Sequence, residues 1–189
     1  MTSTSKVIVS DSRYINDPEL HLGKSLFYYM LVRASKAKLV FEAGTDRGFS
    51  AFAICRALQR NASEGIPGHL VTVDNQTDRG DMLEGDEDGL VSRLIGDSVE
   101  IVRAFDRPID IFIHDTISQP DHMRAQLEAL VPHLAPGAIV YSSWFTETFV
   151  DFCDRFGLTY LEVADKPLNH WYRGSRYGLA WFDRPSRPT

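Results

Sequence analysis

The chain has 189 residues, which fits one domain with a core large enough to fold without disulfides. Hydrophobic residues make up 43% and charged residues 24%, so the chain is not intrinsically disordered, and no apolar run reaches the roughly 20 residues needed to span a bilayer. The net charge of −6 disfavours the phosphate backbone of a nucleic acid as a partner. Because the N-terminus also lacks the pattern of a signal peptide, we expect a cytoplasmic protein that acts on a small molecule and binds neither nucleic acid nor membrane.

The first 38 residues predict an N-terminal arm and a helix that belong to the same domain as residues 39–189. Pro18 is typical of the first turn of a helix, and apolar residues recur at helical spacing as far as Ser35. We expect this helix to pack its amphipathic face on a sheet. Cys55 and Cys153 fall in later predicted helices, where we expect buried free thiols rather than a disulfide.

Residues 39–58 predict a buried strand, a tight turn and a helix. Three apolar residues precede Glu42, and two glycines follow four positions apart, at Gly44 and Gly48. Glycine lets a backbone adopt positive φ or approach a ligand closely, and the free N–H groups at a helix start favour an anionic group. A dinucleotide site needs another glycine within residues 45–47, where this chain has none, so binding of pyrophosphate is disfavoured. An ordinary strand-to-helix connection is the alternative.

The second predicted strand, His69–Asp74, ends in a carboxylate. Ligands of open α/β sheets bind at the carboxyl ends of strands, so Asp74 is placed to accept hydrogen bonds from two ribose hydroxyls. The alternative is a surface aspartate that caps the next element. Residues 75–89 contain six acids and few apolar residues, which is typical of a solvated loop, and their spacing does not fit a calcium loop.

A third strand is predicted over 91–95 and a short helix over 99–105. Asp97 and Ser98 lie between them, where an N-cap pair is expected. The most apolar strand after the first covers 109–113, which suggests a central position in the sheet.

His114 and Asp115 follow this central strand, and His122 lies on the next predicted helix. These three side chains are candidates for a general base because they stand at or near a strand end. His114 equally fits a structural histidine that lies between strand and helix with its hydrogen bonds satisfied.

The glycine turn resembles the first motif of class I S-adenosylmethionine-dependent methyltransferases, in the form E-x-G-x-x-x-G-[YF]-S-A found in catechol O-methyltransferase and its relatives. The second half of the chain resembles the family with cephalosporin-hydroxylase-like and sugar O-methyltransferase members. The matching stretches there are residues 109–116, 122–123, 132–140 and 149–152. The resemblance covers residues 39–157. It implies an α/β Rossmann-like three-layer sandwich with a mostly parallel seven-stranded sheet and an antiparallel final strand.

The resemblance also implies S-adenosylmethionine as cofactor. The residues that would contact it are Glu42, Gly44, Thr45, Gly48, Ser50, Asp74, Asn75, Asp97, Ser98 and His114. In this scheme the glycine turn surrounds the amino-acid end, Asp74 binds the ribose, and Asp97 or Ser98 binds the exocyclic amine of the adenine. Relatives also place a helix like Pro18–Ser35 over the cofactor or in a homodimer.

The chain departs from its relatives at the positions that hold their metal. Relatives carry a histidine where this chain has Ser118 and an acid pair where it has Ser142 and Ser143. A divalent ion needs hard carboxylate ligands, and Asp115 alone makes a poor site. We therefore expect no metal and a side-chain base: His114, Asp115 or His122.

The function that follows from this resemblance is methyl transfer from S-adenosylmethionine to a small molecule, at oxygen. Two alternatives stay open. One is a different reaction of the same cofactor, an intramolecular displacement or elimination. The other is a cofactor-binding module without catalysis, against which the joint presence of Glu42, Gly44, Gly48 and Asp74 argues.

Overall fold

The computed structural model describes residues 18–83, 89–165, 171 and 173–182, with side chains from residue 23 onward. The predicted N-terminal arm, residues 1–17, lies outside the described residues, as do residues 84–88 of the acidic loop. The helices are α1 Pro18–Ser35, α2 Phe49–Ser63, α3 Ser98–Arg103, α4 Pro120–Leu130 and α5 Glu147–Phe156. The strands are β1 Leu39–Ala43, β2 His69–Asp74, β3 Val91–Ile95, β4 Ile109–His114, β5 Leu134–Ser142, β6 Thr159–Asp165 and β7 Ser175–Trp181.

The strands form one sheet in the order β3-β2-β1-β4-β5-β7-β6. Strands β1 to β5 are parallel, and β7 runs antiparallel to both β5 and β6. The predicted seven-stranded, mostly parallel sheet with an antiparallel final strand is confirmed. Strand β4 occupies the middle of the sheet, as its apolar sequence predicted, because a strand covered by helices on both faces must be apolar on both faces.

Two hydrophobic clusters cover the two faces of the sheet. Helices α4 and α5 pack on one face through Met123, Leu127, Phe149 and Phe152. Helices α1 and α2 pack on the other face through residues that include Tyr28, Val32, Ile54 and Leu58. Both cysteines are buried and form no disulfide, as expected. Among the residues described, no helix has the length and apolarity to cross a bilayer.

Element boundaries differ from the predictions in small ways. Helix α2 continues to Ser63 rather than ending near residue 59, because the fully buried Asn61 ties it to α1 through a hydrogen bond to the Val32 carbonyl, 3.2 Å. Helix α3 starts one residue earlier than predicted, at Ser98, and ends at Arg103. Polar sequence at a helix end does not reveal whether a partner helix will continue it.

The carboxyl ends of β1, β2, β4 and β5 lie side by side. Ala43 pairs in register with Val73 and with His114, and His114 pairs with Ser142. Backbone bonds continue the alignment past the strand ends: the Asp115 N–H donates to the Ala43 carbonyl and the Ser143 N–H donates to the His114 carbonyl. The residues that follow these strands therefore meet at one edge of the sheet.

Candidate active site

The glycine turn packs against the end of β4. Gly44 has φ 103° and Gly48 has φ 90°, in the left-handed region that favours glycine. A Cβ atom on Gly44 would lie 2.2 Å from the carbonyl oxygen of Asp115. Only a residue without a side chain allows this approach, so the turn after β1 and the loop after β4 share one packed boundary.

Glu42 is the buried carboxylate of the turn. Its side chain is fully buried and accepts hydrogen bonds from the Ser50 hydroxyl at 2.5 Å and from the Thr72 hydroxyl at 2.6 Å. Thr45 joins this network through its hydroxyl, 2.7 Å from that of Thr72. Burial raises the pKa of Glu42 to about 7, although the two hydroxyl donors favour the charged form. A buried carboxylate held by neutral donors is a good counter-charge for a cationic ligand.

Asp74 stands half-buried at the end of β2. Its Oδ2 accepts the backbone N–H of Asp46 at 3.0 Å, and its Oδ1 accepts the backbone N–H of Gln76 at 3.0 Å. The side chain therefore caps the next turn and also holds the glycine turn. The predicted capping role is present, and each oxygen keeps a second lone pair for a hydroxyl donor. Asn75, the next residue, is exposed.

Asp97 and Ser98 separate into two roles. Asp97 is the N-cap of α3, and its Oδ1 accepts the N–H groups of Val99 at 2.8 Å and Glu100 at 3.1 Å. Ser98 is buried, and its hydroxyl accepts a hydrogen bond from the Gln126 amide at 2.6 Å. The expected N-cap is thus confirmed for Asp97, whereas Ser98 turns inward towards α4.

His114 is fully buried and belongs to the same network. Its Nδ1 lies 2.5 Å from Oε1 of Gln126, whose amide nitrogen donates to Ser98. With the amide in this orientation, Nδ1 carries the proton and Nε2 keeps a lone pair. Nε2 has no hydrogen-bond partner among the described residues. Burial lowers the pKa of His114, so the imidazole is neutral at neutral pH.

Asp115 points to the other face of the sheet, where it meets α1. Lys24 Nζ donates to Asp115 Oδ2 at 2.6 Å. Tyr28, one turn later on α1, lies with its hydroxyl oxygen 3.5 Å from that of Ser143, and its ring packs edge-on against Tyr141 with centroids 4.9 Å apart. Burial raises the pKa of both tyrosines, so both carry their protons.

Four buried side-chain atoms have no hydrogen-bond partner within the part of the chain that the structure describes. They are His114 Nε2, Thr116 Oγ1, His122 Nε2 and Tyr141 Oη. His114 and His122 lie on the α4 side of the sheet, whereas Tyr141 packs on α1 at the other face. Buried polar groups are normally paired, so each of these atoms marks a place that a ligand or water completes.

Ser142, the first of the two serines at the end of β5, binds the loop that follows this strand. Ser142 donates to the Trp144 carbonyl at 2.9 Å and accepts the Trp144 N–H at 3.2 Å. Within residues 18–83, 89–165 and 173–182, no group of three His, Cys, Asp or Glu side chains could hold a metal ion.

A concavity of about 450 Å³ opens beside this edge of the sheet. It lies between the loop after β5 and the β6–β7 hairpin, and its wall includes Trp144, Phe145, Asp165, Arg173 and Arg176. Its volume falls in the range of small-molecule sites, about 300–1,000 Å³. Gly23 of α1 lies next to its rim, since a Cβ atom there would be 3.7 Å from Asp165 Oδ2.

Three residues of the site escaped the sequence analysis. Lys24 comes from α1, Thr72 from the middle of β2 and Gln126 from α4. Thr72 and Gln126 are polar residues at apolar positions of their elements, a signal that could have found them. Lys24 gave no such signal, because a lysine on an amphipathic helix is ordinary.

The family of the chain follows from comparison with known sequences. Residues 41–142, more than half of the chain, match the family model described as a methyltransferase domain. No curated protein sequence matches the chain.

Solved structures share its fold. TomG, an O-methyltransferase from Streptomyces achromogenes solved with S-adenosylmethionine, is 20% identical with a TM-score of 0.65, over 85% of this chain and 79% of TomG. An O-methyltransferase from Bacillus cereus solved with S-adenosylhomocysteine is 17% identical with a TM-score of 0.64, over 95% and 88%. A methyltransferase from Geobacter sulfurreducens is 19% identical with a TM-score of 0.61, over 94% and 87%.

The resemblance found in the sequence is confirmed: the chain belongs to the methyltransferase-domain family and has the Rossmann-like fold of class I S-adenosylmethionine-dependent methyltransferases.

Proposed function

We propose that this chain transfers a methyl group from S-adenosylmethionine to an oxygen of a small molecule, with a side-chain base and without a metal. The observation that carries the proposal is the packed boundary between Gly44 and Asp115. This contact supports the proposal because the residues that we assign to the cofactor adjoin there the residues that we assign to the acceptor. A reaction between two bound molecules requires this proximity.

The chemistry of the glycine turn fits the cofactor. S-adenosylmethionine carries an ammonium and a sulfonium, and the buried Glu42 carboxylate has only hydroxyl donors among its described hydrogen bonds. Asp74 has lone pairs that can accept hydrogen bonds from the ribose hydroxyls. Asp97, which follows β3, is the proposed contact of the adenine. Gly44, Thr45, Gly48, Ser50, Asn75, Ser98 and His114 complete the proposed contacts. When bound, the cofactor supplies an electrophilic methyl group, so the protein must align the acceptor and remove its proton.

His114 is the base we favour among the three candidates. Its Nδ1 is held by Gln126, and its unpaired Nε2 has the lone pair that a base needs. His122 offers a second unpaired Nε2 on α4. Asp115 is the poorest of the three, because its carboxylate is already engaged by Lys24.

The acceptor is proposed to be small because the concavity next to Ser143 and Trp144 has a small-molecule volume. TomG and the Bacillus cereus protein, which share the fold, are named as O-methyltransferases. Hydroxyls at Ser142 and Ser143 support metal independence, since neutral serines cannot offset the charge of a divalent ion.

Cofactor binding is the first test. We expect calorimetry to detect S-adenosylhomocysteine and S-adenosylmethionine but not NAD. Asp74→Ala should weaken binding by roughly 2–3 kcal/mol, because two hydroxyls would lose a charged acceptor. Asp78→Ala, on the same loop with a side chain 79% exposed, is the matched control and should bind normally. Binding of NAD alone, or equal affinity of both variants, would reject the cofactor assignment.

Turnover is the second test. The protein is incubated with methyl-labelled S-adenosylmethionine and a panel of hydroxylated small molecules, with and without EDTA, and products are analysed by mass spectrometry. A labelled methyl ether formed in EDTA supports the proposal. Loss of activity in EDTA that Mg²⁺ restores contradicts the metal-free mechanism, and a product derived from the cofactor alone indicates displacement or elimination.

A further inference from the structure

The ion pair between Lys24 and Asp115 joins α1 to the end of β4. The side chains are 23% and 20% exposed, so the pair is largely buried yet open on one side. Asp115 is the one hydrogen-bond acceptor that Lys24 Nζ reaches among the residues described. An ammonium group carries three N–H donors, so the described residues leave two of them for another acceptor.

The opposite end of α1 shows what a purely structural ion pair looks like in this protein. There Glu64 is shared by Arg33, Lys36 and Arg60, and Asn61 accepts further hydrogen bonds from Arg33 and Lys36. Lys36 and Glu64 are 37% and 35% exposed. These cations lie at the end of α1 that leads into the start of β1, and they share Glu64 as a partner. Among the residues described, Lys24 Nζ has one hydrogen-bond partner and lies beside the carboxyl end of β4.

The surroundings of Lys24 hold further unused polar atoms. Tyr28 lies below the ammonium, with its ring centroid 5.8 Å from Nζ. The Tyr28 ring packs on Tyr141, whose side chain is 1% exposed. Thr116, next to Asp115, has a buried hydroxyl with no hydrogen-bond partner among the residues described. An ammonium with N–H donors to spare and a hydroxyl without a partner suit an oxygen-bearing ligand.

We propose that Lys24 is the cation of the acceptor site, and that it receives the ionised oxygen of a phenol- or enol-type acceptor beside Asp115. The inference rests on the proposed function and names the class of its acceptor. On ionisation the acceptor O–H bond breaks, the electron pair stays on the oxygen, and the proton leaves to solvent. The tethered ammonium then neutralises the oxyanion, a task that would otherwise require a bound cation.

Four other ionisable groups act on Lys24. Asp115 pairs with Lys24, the buried Tyr28 and Tyr141 keep their protons, and Glu42 lies within electrostatic range of both Lys24 and Asp115. Asp115 alone would repel an oxyanion, and the charge of Lys24 offsets this repulsion. Removing the ammonium should therefore change the preferred protonation state of a bound phenol, not only its affinity.

The test uses 4-nitrophenol, whose phenolate absorbs visible light, in EDTA and at saturating S-adenosylhomocysteine. Spectra across the pH range give the affinities of phenol and phenolate separately. We expect wild-type protein to prefer phenolate by roughly 10–1,000-fold over the phenol, as for an opposite charge at close range. Lys24→Met should abolish the preference, Lys24→Arg should keep most of it, and Lys36→Met, the matched control just beyond the last residue of the same helix, should leave it unchanged.

Several outcomes overturn the inference. These are no binding of 4-nitrophenol, binding of the neutral phenol, or an unaltered preference in Lys24→Met that is folded by circular dichroism. If Lys24→Met does not fold, Lys24→Gln and Lys24→Arg decide the same question, because they compare a neutral with a charged side chain of similar length. Calorimetry with S-adenosylhomocysteine separates two further cases. If Lys24→Met lowers the affinity for S-adenosylhomocysteine as much as it lowers the affinity for phenolate, the lysine belongs to the cofactor site. If the wild-type protein does not bind S-adenosylhomocysteine, the proposed function itself is rejected.

Discussion

The two halves of the strand edge differ in how completely their polar groups are paired. At the ends of β1 and β2, Glu42, Thr45, Ser50 and Thr72 form a closed network of hydrogen bonds. At the ends of β4 and β5 and on α4, the described residues leave His114 Nε2, Thr116 Oγ1, His122 Nε2 and Tyr141 Oη unpaired. We call the first group the closed half and the second the open half.

The difference indicates two ways of preparing a binding site. The closed half fixes a carboxylate in advance, so a cationic ligand meets a rigid counter-charge and little reorganisation is needed. The open half stores unpaired donors and acceptors, each of which costs free energy until a ligand or water pairs with it. A cofactor that is the same in every turnover suits the first arrangement. An acceptor that must be gripped and deprotonated suits the second.

The largest effect is expected where the two halves touch. Gly44→Ala puts a Cβ atom 2.2 Å from the Asp115 carbonyl oxygen, at φ 103°, and should cost on the order of 3–5 kcal/mol of unfolding free energy. Gly65→Ala is the control, because Gly65 also has positive φ, 81°, but nothing lies within 4 Å of the added atom. Its cost should be about 1 kcal/mol. Equal costs in urea denaturation would show that the halves are not in packed contact.

The closed half should give the protein without ligand a distinctive pH dependence. The pKa of Glu42 is raised from 4.5 to about 7, so its contribution to stability is complete below the unfolded value and is lost as pH rises through about 7. Relative to Glu42→Gln, wild-type protein should lose about 3 kcal/mol of unfolding free energy between about pH 4.5 and pH 8. Subtracting the unfolding free energy of the variant at each pH cancels the contribution of His114. Because the pKa of His114 is lowered, that contribution destabilises the protein as pH falls. A constant difference would contradict the buried carboxylate.

A smaller effect is expected from one donor of the closed half. Thr72→Val keeps the shape of the side chain but removes the hydroxyl that donates to Glu42 and pairs with Thr45. The unfolding free energy should fall by about 2 kcal/mol above pH 7, where Glu42 is charged, and by less at low pH. Chemical denaturation at two pH values measures both. A cost that does not change with pH would indicate loss of packing alone.

The smallest effect is expected in the open half. Thr116→Val keeps the shape of the side chain and removes a buried hydroxyl that has no partner among the residues described, so the unfolding free energy should change by less than about 0.5 kcal/mol or rise slightly. Thr72→Val is the same substitution in the closed half. A penalty for Thr116→Val as large as that for Thr72→Val would mean that the hydroxyl is already paired, and the contrast between the halves would not hold.

The sequence by itself determined the order of elements, the parallel sheet with β4 at its centre, and the family. These follow from apolar strands, glycine spacing and turn residues, which act within a few positions of the chain. It also placed Glu42, Asp74, His114 and Asp115 at strand ends. The roles proposed for them as cofactor and base residues remain predictions.

Only the tertiary structure decided which side chains meet across long separations. Lys24 reaches Asp115 across 91 residues, and Gln126 links His114 to Ser98 by bringing α4 over the sheet. It also decided that Ser98 turns inward while Asp97 caps α3, two roles that adjacent residues cannot reveal by spacing. The physical reason is that charge pairing, burial and the resulting pKa shifts depend on distances that packing sets, whereas sequence pattern encodes only local geometry.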